Sequence, residues 1–268
     1  MAHALRPLTL GELLDRTFSL YRHHFVLFVG IAALPNILSL VYQLWVTLAP
    51  PDARGVWLTI VSALAGTFVY FVTTALSQGA TVIAVSQIQL GLETNIREAF
   101  GDIRSRLGEL IILMLNVGVR VFLGFLLLIV PGILLMLRYA LAVPVAVLET
   151  TTISESLSRS AELTRGHRGR ILIIYVLLFV LVMAVMLMWQ LPAGIVMTLL
   201  FGARPADFPA WAQAVLLFGN FVAQSIVAPI TTIAIALVYY DERVRKEAFD
   251  LDHMMQQLDA VIEPSPAT

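Results

Sequence analysis

The sequence has no cysteine and little charge. Without cysteine the chain has no disulfide, cysteine-bound metal or thiol nucleophile, and its redox compartment stays undetermined. Only 13% of the 268 residues are charged, against about 25% in a soluble domain, and the net charge of −1 provides no field for nucleic acid. Because 59% of the residues are hydrophobic, a bilayer is a better solvent for this chain than water.

Targeting and catalytic motifs are also missing. The first 24 residues contain Arg6, Glu12 and Asp15 but no apolar core, so we expect no signal peptide. No His-Glu-x-x-His pair, Gly-x-Ser-x-Gly elbow or phosphate-binding glycine-rich loop occurs, and all five histidines lie outside the long apolar runs. We therefore expect no enzyme, no metal site and no cofactor.

Apolar runs long enough to cross a membrane occur six times, which predicts an all-α polytopic bundle. They are Phe25–Leu48, Val56–Gln89, Gly108–Val130, Gly132–Leu148, Ile171–Leu191 and Trp211–Tyr240. Only Pro131–Gly132 separates the third run from the fourth, so one long kinked helix is the alternative there. A hairpin is favoured because Gly108–Leu148 as one helix would be about 60 Å long, or two bilayers.

Basic residues are distributed unequally between the two sides. Of the 17 Lys and Arg residues, thirteen fall in the N-terminal segment, the 90–107 and 149–170 loops and the region after Tyr240. Arg54 and Arg204 alone fall in the loops on the other side. The positive-inside rule therefore predicts a multi-pass protein with both termini in the cytoplasm.

A polar residue followed three positions later by glutamate recurs before three pairs of apolar runs. Thr9-Leu-Gly-Glu12, Asn95-Ile-Arg-Glu98 and Thr152-Ile-Ser-Glu155 each resemble a capping box, and each continues as an amphipathic, interfacial helix. Chance is the alternative to duplication, since capping boxes are common. The pattern predicts one domain over residues 1–250 with repeat units 9–90, 94–148 and 151–250, then a cytoplasmic tail over 251–268 with a disordered end.

Six segments carry a resemblance to a known family. They are Arg6–Arg16 with Leu20–Phe25, Pro131–Arg138, Val143–Glu149, Ser156–Arg165 and Tyr239–Asp250. The set resembles a prokaryotic family named for the membrane domain of glycerophosphoryl diester phosphodiesterases. The resemblance implies a multi-helix membrane domain and little else, and we expect this domain in the prokaryotic plasma (inner) membrane.

The enzymes that give this family its name also carry a catalytic barrel of roughly 250 residues, for which we expect no room in this chain. His167-Arg168-Gly169 spells the opening of such a domain, but the glutamate and aspartate metal ligands do not follow. We therefore do not infer phosphodiesterase activity.

Two arginines lie inside apolar runs, where each costs at least roughly 2.5–3.5 kcal/mol. Arg120 and Arg138 are each eleven residues from a glutamate, Glu109 and Glu149, which predicts that both lie about 16 Å deep on antiparallel helices. One interpretation is an anion-binding site, with Asn116 one turn from Arg120. The other is that the arginines bond local carbonyls, such as that of Ala140 freed by Pro144, or extend to an interface.

Polar residues form stripes on two of the runs. Thr74, Gln78 and Thr81 recur at helical spacing on the second, and Asn220 and Gln224 on the sixth. Such stripes either hold packed helices together or line a hydrated cavity. The sequence thus favours a non-enzymatic membrane protein that binds or moves a lipid or small anionic amphiphile. The alternative is a scaffold for a protein partner, and membrane lipids, a partner or a second copy are the expected contacts.

Overall fold

The computed structural model describes residues 8–48, 55–149, 152–202, 204 and 208–262, with side chains to Glu247. Every regular element in these segments is a helix, as predicted. The helices are α1 Leu10–His23, α2 Phe25–Leu48, α3 Val56–Gln89, α4 Ile96–Arg104, α5 Leu107–Leu127, α6 Ile129–Arg138, α7 Ala142–Leu148, α8 Ile153–Leu163, α9 Arg168–Phe201 and α10 Ala210–Ile262.

Six stretches of the described chain are long and apolar enough to cross a membrane, which confirms the predicted number. The first two, Phe25–Leu48 and Val56–Gln89, have the predicted bounds. The fifth continues past its predicted end at Leu191, because α9 passes through Pro192 without ending. The sixth belongs to α10, which continues beyond residue 250, while residues 263–268, predicted to be disordered, lie outside the described residues.

The hairpin predicted at Pro131–Gly132 is observed, but its turn lies earlier. Leu128 alone is extended, with φ −165° and ψ 158°, and α6 begins at Ile129. Pro131 is tolerated because it occupies the first helical turn, where its missing N–H would have no partner within the helix. The helices approach closely enough that a Cβ on Gly124 would lie 3.0 Å from the Cα of Gly132.

The fourth predicted span, Gly132–Leu148, is two helices and not one. The break at Tyr139–Leu141 separates α6 from α7, and Pro144 lies in the first turn of α7. Ser160 of α8 bridges this break, since its hydroxyl donates to the carbonyl oxygen of Arg138 (3.0 Å) and accepts from the N–H of Leu141 (3.2 Å). Thr164 donates to the same carbonyl at 3.4 Å. The hydroxyl groups of Ser160 and Thr164 on α8 therefore replace backbone hydrogen bonds that are lost at the break.

The three predicted helix starts are observed. Thr9 and Thr152 form full capping boxes with Glu12 and Glu155, and the side chain of Asn95 accepts from the N–H of Glu98 at 2.9 Å. Bonds from Thr152, its backbone N–H first and its hydroxyl second, lower the pKa of the Glu155 carboxyl. The threefold repeat and the interfacial position of α1, α4 and α8 remain predictions.

The apolar faces of α1, α4 and α8 pack against the chain itself. Leu13 and Tyr21 of α1, Ile103 of α4 and Leu157 of α8 are all buried in the main core. Buried side chains concentrate in the half of the bundle next to these three helices. In the other half, none of residues 36–48, 56–72 and 179–196 is buried. The packed half therefore positions any site that depends on fixed side chains.

The contact between α3 and α4 provides a stability test. A Cβ on Gly79 of α3 would lie 2.6 Å from Ile103 Cδ1, whereas nothing lies within 4 Å of a Cβ on Gly101 of α4. We expect Gly79→Ala to lower the free energy of unfolding by about 1–3 kcal/mol through overpacking. Gly101→Ala should instead be neutral or stabilise by up to about 1 kcal/mol, because alanine favours the helix. Thermal unfolding in detergent measures both, and equal effects of the two changes would contradict this packing.

Candidate anion-binding site

Two arginines and one tyrosine meet where α5 passes the end of α6. Arg120 lies on α5, Arg138 is the last residue of α6, and Tyr139 is the residue that caps α6. Nη1 of Arg120 donates to the Tyr139 hydroxyl oxygen at 3.1 Å. The Cζ atoms of both arginines lie over the Tyr139 ring, each 5.6 Å from its centroid. Both arginines therefore contact one tyrosine between α5 and α6, while their predicted depth in the membrane and their role as a binding site remain predictions.

The aromatic ring accounts for part of the stability of this arrangement. A guanidinium over an aromatic face gains about 0.5–1 kcal/mol when exposed and about 2 kcal/mol when desolvated. Tyr139 is buried, whereas both arginine side chains are exposed at the bundle surface. The ring thus fixes the base of the site and leaves the cationic groups accessible from outside the bundle.

The charge of the two guanidinium groups is not neutralised within the described residues. Neither Arg120 nor Arg138 forms an ion pair with a described Asp or Glu, although other arginines do. Arg138 lies over Tyr139, and no bond from its guanidinium to the Ala140 carbonyl is found. Two like charges that share one aromatic ring repel each other, and a nearby anion would stabilise both. The Tyr139 hydroxyl, which accepts from Arg120, keeps its own proton to donate.

Asn116 lies one helical turn before Arg120 but does not bond to it. Its Oδ1 atom is buried without a hydrogen-bond partner among the described residues. An amide oxygen accepts hydrogen bonds and does not itself stabilise an anion, and this one is shielded from the outside of the bundle. The contacts therefore define a site of two guanidinium groups and one hydroxyl, and a place for Asn116 in it remains a prediction.

The predicted polar stripes are placed on different hairpins. On α3, Thr81 is fully buried with its hydroxyl unpaired, while Thr74 and Gln78 are half-buried. On α10, Asn220 accepts from Gln190 of α9 at 3.4 Å, whereas Gln224 is exposed. The bond of Asn220 lies inside the α9–α10 pair, as expected for contacts between packed helices. A polar cavity lined by these five residues remains a prediction.

A second charged cluster was not expected from the sequence. Asp241 and Glu242, at the end of the sixth apolar stretch, are buried and share Arg170 of α9 as an ion-pair partner. Arg245 contacts Asp241 at 2.9 Å, and His167 contacts Glu242 at 2.7 Å. These five residues, here called the Asp241 cluster, also hold the start of the described chain. The N–H of Leu8 donates to Asp241 at 2.6 Å, and the Leu8 carbonyl accepts from Arg170 at 2.8 Å.

Glu149 organises a neighbouring cluster at the end of α7. It accepts from the Tyr239 hydroxyl at 2.9 Å and pairs with Arg159 of α8 at 3.3 Å. Arg159 also contacts Glu162 and Glu247. In both clusters every acidic group has a cationic or hydroxyl partner. The two clusters together connect α8, α9 and α10. The Arg120–Arg138 pair lacks that neutralisation.

Six helical stretches of membrane length within the described residues define an all-helical integral membrane protein. The family model described as the membrane domain of glycerophosphoryl diester phosphodiesterase matches residues 111–263, from α5 to the end of the chain's last helix. The match covers more than half of the chain, and the chain belongs to this family, as its motifs predicted. It includes Arg120, Arg138 and Tyr139. No curated protein and no solved structure matches the chain.

Proposed function

We propose that this protein is a non-enzymatic component of the prokaryotic plasma membrane that binds the anionic head group of a lipid or similar amphiphile. The observation that supports the proposal is the pair of exposed, unneutralised guanidinium groups of Arg120 and Arg138 over one buried ring. Arginine binds phosphate and carboxylate through charge-assisted hydrogen bonds. Such a site inside an apolar segment is accessible to a molecule that is itself partly apolar.

A scaffold function has less support. A scaffold needs an apolar or complementary face for its partner, and the apolar faces of α1, α4 and α8 already pack against the chain's own core. What these helices leave exposed is mostly polar, for example Glu98 and Arg97 on α4, and Phe18 of α1 is the large apolar side chain that is exposed. The proposal is therefore for lipid as the principal contact, with a protein partner as the alternative outcome.

The lipid that co-purifies with the protein tests the proposal. We expect wild-type protein extracted in mild detergent to retain anionic lipid, detected by native mass spectrometry. The Arg120→Gln/Arg138→Gln double variant should lose it, because both cationic donors are absent. Arg97→Gln is the matched control, since Arg97 is an exposed arginine outside the apolar stretches, and it should retain the lipid. Equal retention by all three proteins would favour a scaffold.

The proposal also includes an orientation, with both termini in the cytoplasm. It is supported by the thirteen basic residues on one side against Arg54 and Arg204 on the other. Reporter fusions after Pro51, Gly91, Thr151, Pro205 and Thr268 should report outside, inside, inside, outside and inside. Alkaline phosphatase activity and fluorescent-protein signal measure the two locations. A cytoplasmic signal after Pro205 would contradict the six-helix topology.

A further inference from the structure

The tip of the α5–α6 hairpin has a surface unlike that of the other two long hairpins. From Val121 to Leu137 no side chain carries a charge or a hydrogen-bonding group. The tip itself, Leu126–Val130, is 66–76% exposed at every residue. Five adjacent exposed apolar side chains are unfavourable in water and favourable in hydrocarbon.

The other two hairpins have the composition expected where a chain leaves the membrane. The segment between α2 and α3 contains Asp52 and Arg54, and that between α9 and α10 contains Arg204 and Asp207. Exposed tryptophans flank both segments: Trp45, Trp57 and Trp211. Tryptophan is enriched at membrane–water interfaces. The α5–α6 tip has neither the charges nor the tryptophans, so it lacks both features of an interface.

The length of the hairpin agrees with its composition. α5 has 21 residues and is about 31 Å long, while α3 and α9 have 34 residues each and are about 51 Å long. Counted from Glu109, the Leu128 turn is about 28 Å away. The hydrocarbon core of a bilayer is about 30 Å thick and the whole bilayer about 40–45 Å, so a helix that starts at one head-group layer ends at the far side of the hydrocarbon and does not reach through the other head-group layer.

The single extended residue of the turn has both of its backbone polar groups paired. The N–H of Leu128 donates to the Gly124 carbonyl at 3.1 Å, and the Leu128 carbonyl accepts from the N–H of Gly132 at 3.3 Å. Pro131, in the first turn of α6, has no N–H to leave unpaired. Non-helical backbone in hydrocarbon is costly unless its polar groups are paired. This one-residue turn pairs both groups of its only extended residue.

We propose that the α5–α6 hairpin enters the membrane and returns to the same side, with the Leu126–Val130 tip bound among lipid acyl chains. The chain then has four complete crossings and one re-entrant hairpin. This arrangement leaves both termini on one side, so it is independent of the proposed orientation and of the anion site.

The absence of native cysteine allows a direct test with single-cysteine variants. Leu128→Cys reports on the tip. Gly55→Cys, at an exposed position before α3, and Gly101→Cys, on α4, are controls at which an added Cβ atom meets no atom within 4 Å. Each variant is labelled with a nitroxide and reconstituted in phosphatidylcholine vesicles. Collision with oxygen, which concentrates in hydrocarbon, is compared with collision with a water-soluble nickel complex.

We expect the label at position 128 to collide with oxygen and to lose its collisions with nickel, while the labels at 55 and 101 collide with nickel. Nickel accessibility at 128 equal to that at 55 would overturn the proposal, because the tip would then reach water. Low accessibility to both reagents at 128 would also overturn it, because protein from a second copy would then cover the tip in place of lipid.

Discussion

Replacing Arg170 with methionine should lower the free energy of unfolding by about 3–5 kcal/mol. Arg170 is the common partner of Asp241 and Glu242, whose side chains are both fully buried. Without Arg170, Asp241 keeps Arg245 and the N–H of Leu8, but Glu242 keeps only His167. A buried carboxylate with too few partners is the source of the expected loss. Thermal and denaturant unfolding in detergent measure it.

The matched control is Arg243→Met. Arg243 pairs with Glu247, but their side chains are 42% and 45% exposed, so its loss should cost no more than about 1 kcal/mol. Adding Glu242→Gln to Arg170→Met should restore part of the stability, because it removes the unpaired charge. If Arg170→Met and Arg243→Met had equal effects, or if Glu242→Gln gave no rescue, the buried ion pairs would not be a main source of stability.

Features that depend on local apolar composition could be predicted from the sequence. Lipid-facing helices need long apolar runs, so the number of helices and the bounds of the first two followed directly. The helix starts at Thr9, Asn95 and Thr152 could also be predicted, because a cap depends on residues only three positions apart. The end of the fifth span could not be predicted from Pro192, because proline is tolerated within membrane helices.

Features that depend on distant residues could not be predicted. Asp241 and Glu242 follow an apolar run directly, and no local signal predicts their burial, which depends on Arg170, some seventy positions away. The break between α6 and α7 depends on the Ser160 hydroxyl from another helix. The role of Tyr139 could not be predicted either, because it depends on Arg120 from another helix. An aromatic residue directly after an intramembrane arginine is the only local signal for its role.

Single neutralisation of either intramembrane arginine should weaken binding of phosphatidylglycerol about 10- to 100-fold, which corresponds to one charge-assisted hydrogen bond. Arg120→Gln and Arg138→Gln remove one donor each, and the double variant should be little weaker than either, because both arginines contact one anion. Isothermal titration with short-chain phosphatidylglycerol measures these affinities. Additive losses would indicate two separate lipids and no shared site.

The thermal stability of arginine variants distinguishes lipid binding by Arg120 and Arg138 from a purely structural role of the two residues. Neither arginine has a described carboxylate partner, so Arg120→Met and Arg138→Met should leave thermal stability in detergent unchanged or raised. Tyr139→Phe, which removes the hydroxyl that accepts from Arg120, should keep the fold and weaken binding less than either arginine variant does. Strong destabilisation by Arg120→Met would mean that the arginine serves the fold.

The relative affinity for phosphatidylglycerol and phosphatidylcholine tests the central claim most directly. Nanodiscs that contain both lipids are prepared with wild type, Arg97→Gln and the Arg120→Gln/Arg138→Gln double variant, and the lipids that stay bound after extraction are counted. The account predicts a preference for phosphatidylglycerol in wild type and Arg97→Gln, and none in the double variant. The same preference in all three proteins would contradict an anion site at Arg120 and Arg138.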